Sequence, residues 1–315
     1  MANKERRNFI RERVETEMDN HWLGLNAKKP EASKVCVLGI PFDGGTSLGK
    51  GAAKAPDLIR ELTGAYMSET NESWIPITKN PELIYDFGNV PIFESWETTF
   101  KVAERITYEV MQFDKFTLIL GGDHSVTIPI HRAFAKHQLT KNPNAKIGII
   151  HFDAHFDLCD NFDGHKWSHA NTEKRALDDI ISPKDLLFLG VRVAEAEEIQ
   201  LLNENKDICV ISAREVYLHG YISAFEKIKE HFKDYDVLYF TLDIDVLDPA
   251  FAPGTGTPVM AGITSRELLE LVRLILTDLP IKAMDIVEVS PPLDTNNITS
   301  WAAVGIIHEV LTQLK

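Results

Sequence analysis

The chain has 315 residues, and its composition excludes several classes of protein. With 33 Lys and Arg against 47 Asp and Glu, the net charge is −14, which argues against binding to a nucleic-acid backbone, because such proteins carry a basic stripe. The cysteines Cys36, Cys159 and Cys209 are too few and too scattered for a disulfide framework or a cysteine-rich zinc site. No apolar signal core opens the charged N-terminus, and no apolar run approaches the roughly 18 residues of a membrane span, so we expect a cytoplasmic protein without a membrane partner.

Short apolar runs alternate with amphipathic stretches, which predicts strands and helices in alternation. The candidate strands are continuous and apolar or β-branched, as strands buried in a parallel sheet are; they are 35–40, 83–86, 116–120, 147–151, 186–189, 208–211, 237–241 and 283–287. Helical patterns cover 56–63, 98–113, 265–277 and 301–314. Repeats and Pro/Gly linkers are missing from the sequence. We therefore expect one α/β domain over 1–315, with 1–33 as an N-terminal extension and helices on both faces of the sheet.

Acidic and histidine residues follow three of the predicted strands. The predicted strand 116–120 runs into His124, and the strand 147–151 runs into Asp153, His155 and Asp157. The strand 237–241 runs into Asp243 and Asp245. Ligands of open α/β sheets bind outside the carboxyl ends of the strands, so these side chains are expected at one place. Residues two apart in an extended segment project to the same side, which groups the members of each cluster. The neighbouring His151 is expected to face the other way and to pack or make hydrogen bonds.

Four aspartates and two histidines at one place indicate a metal centre. Buried carboxylates so close together would repel each other without a compensating cation, and this number of them favours more than one divalent ion. The ligand set is rich in oxygen, has two imidazoles and lacks a thiolate. It therefore favours Mn²⁺, with Ni²⁺, Co²⁺ and Zn²⁺ as alternatives.

Three separated motifs resemble the ureohydrolase family, which includes arginase, agmatinase and formimidoylglutamase. They are GGDHS at 121–125, DAHFD at 153–157 and DIDVLDPAFAPGTGTP at 243–258, with weaker matches at 39–47, 51–60 and 287–291. The similarity is greatest to agmatinases and spans roughly residues 35–313. It implies a three-layer αβα sandwich with a mainly parallel, eight-stranded sheet, as in arginase, and a homotrimer or homohexamer.

The resemblance also implies roles for individual residues. The metal ligands would be the six side chains that the spacing selects, around two Mn²⁺ ions. Glu288 would bind the substrate guanidinium group and place its carbon for attack by a metal-activated water, whose proton Asp157 could accept. His169 would protonate the departing amine. The implied reaction is hydrolysis of a guanidino compound to urea and an amine.

The substrate is less strongly indicated than the reaction. Cys159 stands where arginases usually have Asn, and the loop 248–258 resembles that of agmatinases, so we expect agmatine, a dication that the −14 charge would attract. Cys159, Trp167 and Asn171 are the candidates for substrate specificity. His169 is followed by Ala where the family usually has Gly, and Lys166 or Trp167 could favour a carboxylate or a compact substrate.

Two alternatives therefore stay open. Guanidinobutyrate, guanidinopropionate, guanidine, formimidoylglutamate or arginine could replace agmatine as the substrate. A hypothesis of a different class is a catalytically silent, metal-binding regulatory oligomer, which the complete set of ligands disfavours.

Overall fold

The computed structural model describes residues 21–65, 69–77 and 82–314. Within these ranges eight strands form a single sheet, and every neighbouring pair is parallel. The eight predicted strands are all present, with ends that differ by up to three residues; the observed bounds are β1 Val35–Gly39, β2 Ile84–Asn89, β3 Phe116–Leu120, β4 Ile147–Phe152, β5 Leu186–Leu189, β6 Cys209–Ile211, β7 Val237–Asp243 and β8 Ile281–Val287.

In the described part of the chain, seven α-helices connect the strands and an eighth follows the last strand. They are α1 Ala55–Ala65, α2 Trp96–Met111, α3 Thr127–Lys141, α4 Thr172–Asp179, α5 Ala196–Glu204, α6 Ala213–His231, α7 Ser265–Asp278 and α8 Ile298–Gln313. The four helical patterns of the sequence correspond to α1, α2, α7 and α8. The start of α7 is capped by Thr264, whose side chain accepts from the Glu267 N–H.

Helices cover both faces of the sheet, so the predicted three-layer arrangement is confirmed. Successive residues of a strand point to opposite faces, and in β1 Val35 and Val37 join one apolar core whereas Cys36 and Leu38 join the other. The first core is completed by α1, α6, α7 and α8, and the second by α2, α3, α4 and α5. Burial on both faces is the reason that the strands read as continuous apolar runs.

Strand order brings the polar strand ends together. The sheet runs β2-β1-β3-β8-β7-β4-β5-β6, so that β3 and β4 follow each other in sequence but stand three places apart. The places between them are filled by β8 and β7, which come last in the chain. The four strands carrying the predicted site residues are therefore neighbours, and their carboxyl ends share one edge of the sheet.

The N-terminal extension is described only from residue 21 onwards. In that part Trp22 is fully buried, and its indole Nε1 donates to Asp86 Oδ2 at 2.8 Å. Residues 1–20 lie outside the described ranges, so the single domain predicted for 1–315 stays a prediction. None of the helices in the described ranges is both long and apolar enough to cross a membrane.

Candidate active site

The six predicted ligands lie at the carboxyl ends of β3, β4 and β7, in two adjoining groups. The first group surrounds His124, whose Nδ1 is 3.0 Å from Asp153 Oδ2, 3.1 Å from Asp157 Oδ2 and 3.3 Å from Asp243 Oδ2. The second surrounds His155, whose Nδ1 is 3.1 Å from Asp153 Oδ1 and 3.2 Å from Asp245 Oδ2. Asp153 therefore presents one carboxylate oxygen to each group.

Burial makes this concentration of negative charge costly for the protein. Asp243 and Asp245 are almost completely buried, and so is Asp153. Burial, together with the charges of Asp245 and Asp153, raises the pKa of Asp243 well above its usual range. Burial and the charge of Asp153 likewise raise the pKa of Asp245. Protons or a cation must therefore offset the charge of this site.

The donor set fits divalent cations. In the described structure, the buried Glu288 Oε2 makes no hydrogen bond, although buried carboxylate oxygens normally have a partner. Two sets of side chains each place one possible ligand atom per residue within 4.8 Å of the others; they are His124, His151, Asp153 and Asp157, and Asp153, His155 and Asp245. Carboxylate oxygens with imidazole nitrogens suit ions of the Mn²⁺ and Zn²⁺ type.

The backbone at Asp157 and Glu288 is left-handed, with φ of 52° and 61°. This conformation is uncommon for residues other than Gly and persists only where the surroundings hold it. The Asp157 carbonyl accepts from the Glu173 N–H at 3.1 Å, at the start of α4. The Glu288 N–H donates to the Gly122 carbonyl at 2.8 Å, which joins the ends of β8 and β3. Both carboxylates are thus fixed by contacts between elements.

Glu288 and His169 form a hydrogen-bonded pair beside the first group. Glu288 Oε1 accepts from the His124 main-chain N–H at 2.9 Å and lies 3.1 Å from His169 Nδ1. His169 Nε2 lies 2.9 Å from Ser47 Oγ. Burial lowers the pKa of His169, but the hydrogen bond to Glu288 and nearby negative charges outweigh this effect and raise it to about 9. His169 therefore holds a proton at neutral pH.

A cavity of about 240 Å³ opens onto His169 and onto three of the six predicted ligands, His155, Asp157 and Asp243. Its lining combines acidic, imidazole and apolar groups and, among the described residues, includes neither Lys nor Arg; it consists of Ser47, Leu48, His155, Asp157, Cys159, Phe162, His169, Ala170, Val193, Ala194, Glu195, Glu198, Asp243 and Thr257. His169 and these three ligands therefore share one small cavity with an apolar side.

The arrangement agrees with comparisons to known proteins. The model of the arginase family matches residues 33–312. The chain belongs to the arginase family. It is 34% identical to an agmatinase of Bacillus cereus over 286 residues, 89% of this chain and 92% of the relative. It is 30% identical to the human mitochondrial guanidino acid hydrolase over 290 residues, 90% of this chain and 79% of the relative. The crystal structure of agmatine ureohydrolase from Thermoplasma volcanium superposes with a TM-score of 0.81 at 26% identity and 97% coverage of both chains.

The predicted orientation of the His151 side chain in this arginase-family chain was wrong. His151 shares its parity with Asp153 and faces the same site, where its Nε2 lies 3.1 Å from Asp153 Oδ2. The expected hydrogen bonds are present, because its Nδ1 also lies 2.9 Å from Glu173 Oε1. Correct counting of alternate positions would have found His151. Glu173 lies in α4, a helix that the sequence pattern did not reveal.

Two further polar side chains support the site and were not predicted. The buried Asp285 accepts from Thr241 Oγ1 at 2.7 Å, and Thr241 Oγ1 lies 2.8 Å from His124 Nε2. The Arg192 guanidinium donates to the Asp245 carbonyl at 2.7 Å and the Val259 carbonyl at 2.8 Å. The sequence offered two signals for these residues, namely a buried Asp within β8 and an Arg shortly after β5. Their partners are distant in sequence, so a local pattern could not identify the contacts.

The three candidates for specificity occupy different surroundings. Cys159 lines the cavity, and burial together with the charge of Glu198 raises the pKa of its thiol. Trp167 packs in the second core, 6.1 Å from the Phe100 ring, and Asn171 donates to the Cys159 carbonyl at 2.6 Å. Neither of these two lines the cavity, so Asn171 reaches it only through the backbone of Cys159.

Proposed function

We propose that the chain hydrolyses agmatine to urea and putrescine at a binuclear Mn²⁺ centre. The observation that carries this proposal is the shared carboxylate of Asp153, which faces one group of ligand atoms with each of its oxygens. The proposed ligands are those predicted from the spacing, namely His124, Asp153, His155, Asp157, Asp243 and Asp245. When bound, the two ions would lower the pKa of a water molecule and so supply a nucleophile at neutral pH.

The chain's own residues would orient the substrate and move its protons. The unpartnered Glu288 Oε2 would accept hydrogen bonds from the planar guanidinium group and hold its carbon near the ligands. His169, which holds a proton at neutral pH, would donate it to the departing amine. Asp157, which lines the cavity, would accept a proton from the attacking water.

The cavity favours a substrate with a cationic tail. Glu198 is buried and makes no ion pair in the described structure; its Oε1 accepts from the Leu158 N–H at 2.9 Å. Glu195 lines the same cavity, and Phe162 and Cys159 offer an apolar surface to a methylene chain. An ammonium group would partner these glutamates, whereas a carboxylate would find no cationic side chain other than imidazole among the described lining residues.

A guanidino acid is the second candidate substrate. The human relative named guanidino acid hydrolase supports it, at 30% identity. Guanidinobutyrate and guanidinopropionate have carboxylate tails, and the glutamates of the cavity would repel them. A silent regulatory oligomer would not need the Glu288–His169 pair. The cytoplasmic location and the homotrimer or homohexamer remain predictions.

Urea release by Mn²⁺-loaded protein tests the proposal. The panel is agmatine, guanidinobutyrate, guanidinopropionate, guanidine and arginine, with ammonia release from formimidoylglutamate measured in parallel. We expect the highest kcat/KM for agmatine. A higher value for another compound would contradict the substrate and keep the reaction. No turnover with Mn²⁺, Ni²⁺, Co²⁺ or Zn²⁺ would contradict the enzymatic proposal.

A further inference from the structure

A histidine lies between two buried carboxylates directly beneath the proposed metal centre. His151, at the end of β4, is fully buried, and both of its ring nitrogens face carboxylate oxygens. Nε2 lies 3.1 Å from Asp153 Oδ2, and Nδ1 lies 2.9 Å from Glu173 Oε1. A ring that donates from both nitrogens satisfies both oxygens. The function proposed above leaves this pair without a role.

The His151 ring has little freedom to turn. It stacks on the His124 ring with the centroids 4.8 Å apart and the planes 10° from parallel, and Phe188 meets it edge-on at 5.0 Å. Glu173 is equally buried, in the first turn of α4, and its N–H donates to the Asp157 carbonyl. Packing and hydrogen bonds thus fix His151 from several sides.

The contact from His151 sets the orientation of the carboxylate that both metal groups share. Asp153 Oδ2 faces His151 and His124, whereas Asp153 Oδ1 accepts from the His155 N–H at 2.6 Å. Rotation of the Asp153 carboxylate would break the contacts on both sides. One oxygen is therefore directed to each group before any ion binds, which lowers the cost of ordering the ligands on binding.

We propose that His151 and Glu173 are a positioning pair that holds the shared ligand Asp153 for two metal ions. This inference rests on the metal centre of the proposed function but not on the identity of the substrate. His151 makes its contact with Asp153 and leaves the ions to the six ligands. Loss of that contact weakens metal binding without removing a ligand.

Two amide substitutions separate the two contacts of His151. In His151→Gln the side-chain nitrogen can reach the position of Nε2 and donate to Asp153. In His151→Asn the nitrogen lies near the position of Nδ1 and can donate only towards Glu173. Glu173→Gln keeps an acceptor for His151 and removes the charge. The control is His137→Asn, since His137 pairs with Asp114, outside the ligand groups.

The measurement is Mn²⁺ binding to the full-length chain by titration calorimetry, with metal content at saturation and the electron paramagnetic resonance spectrum of the ion pair. We expect His151→Asn to weaken binding by about 10- to 100-fold, as loss of an outer-shell partner does. His151→Gln recovers most of that loss, Glu173→Gln weakens binding less than His151→Asn, and His137→Asn leaves it unchanged. The saturated variants still bind two ions with the coupled spectrum.

Several outcomes would overturn the inference. If His151→Asn binds Mn²⁺ with unchanged affinity, or if the Asn and Gln variants lose equal affinity, the contact between His151 and Asp153 does not position this ligand. If a His151 variant binds only one ion at saturation, His151 is itself a metal ligand. If His151→Asn does not fold, judged by circular dichroism, unchanged affinity in Glu173→Gln overturns the pair. A wild-type chain that binds no metal overturns both proposals, whereas two bound ions without turnover contradict only the proposed function.

Discussion

Glu288 and His169 share one hydrogen bond, and Glu288 keeps its second carboxylate oxygen without a partner. Glu288 Oε1 is occupied by His169 and by the His124 N–H, so that only Oε2 remains for a substrate. His169 Nε2 is held by Ser47. Glu288 is therefore preorganised, because the contacts that fix it leave Oε2 for the substrate, whereas the two contacts of His169 fix the orientation of its ring.

Replacing His169 should remove the proton donor and leave the metal centre intact. In His169→Asn we expect normal Mn²⁺ content and a kcat lower by about 10²- to 10⁴-fold, the usual contribution of a general acid. The pKa of His169 is raised to about 9, so the wild-type rate should fall as the pH rises through that value. The pH profile of urea release checks this, and a variant with wild-type kcat would assign the proton transfer to another group.

Removing one carboxylate of the second group should remove metal together with activity. In Asp245→Ala we expect Mn²⁺ affinity to fall by more than ~100-fold, beyond the loss of an outer-shell partner, and turnover to vanish. Asp248→Ala is the control, since Asp248 accepts from the Ala250 N–H at 3.0 Å and belongs to neither ligand group. Metal analysis after dialysis distinguishes the two, and full activity in Asp245→Ala contradicts a binuclear centre.

Loops at the strand ends, rather than the strands themselves, complete the site. The segment after β7 supplies Asp245 and continues to Val259, and the Arg192 guanidinium joins both parts through their carbonyls. Arg192 comes shortly after β5, so it connects the ends of two strands that are separated by β4. The loop keeps its shape because a fixed, planar group of donors holds several carbonyls at once.

Loss of this guanidinium should loosen the loop. We expect Arg192→Met to lower the free energy of unfolding by about 2–4 kcal/mol, since hydrogen bonds to charged groups contribute about 1.5–3 kcal/mol each. Urea unfolding of the metal-free protein measures the change. Arg132→Met is the matched control, because the ion pair of Arg132 with Asp179 is partly exposed and should contribute less than about 1 kcal/mol. Equal losses of unfolding free energy in both variants would contradict the role of Arg192 in holding the loop after β7.

The whole molecule gathers its negative charge at one edge of the sheet. β3, β8, β7 and β4 stand side by side and bring carboxylates from distant parts of the chain into contact. Folding therefore assembles a site that is electrostatically unfavourable without cations, and metal binding and stability must be linked.

Metal removal should accordingly lower thermal stability. Free Mn²⁺ at 100-fold above its Kd would stabilise the native state by about 2.7 kcal/mol per site, provided that the unfolded chain does not bind it. We expect a chelator to lower Tm, and added Mn²⁺ to restore it, in the wild type. Asp245→Ala should respond much less. Differential scanning calorimetry checks this. If neither treatment changes the wild-type Tm, metal binding and stability are not linked.

The sequence pattern revealed strands more completely than helices. Most strands are short apolar runs buried on both faces, which a local pattern reports directly. The helix α6 escaped prediction because it exposes Tyr217 and Ile222 and bends at Gly220, whose φ is 81°, so that its apolar residues follow no regular stripe. The short helices α4 and α5 carry few buried apolar residues.

By itself, the sequence determined the parallel α/β class, the eight strands and the six side chains at the strand ends, because periodicity and spacing are local properties of the chain. Only the tertiary structure decided that β4 lies beside β7, and thus that Asp153 meets Asp245. It also decided that Glu173 reaches His151 and that Arg192 holds the Asp245 loop. Such contacts join residues from different elements, and no local pattern encodes which strands become neighbours.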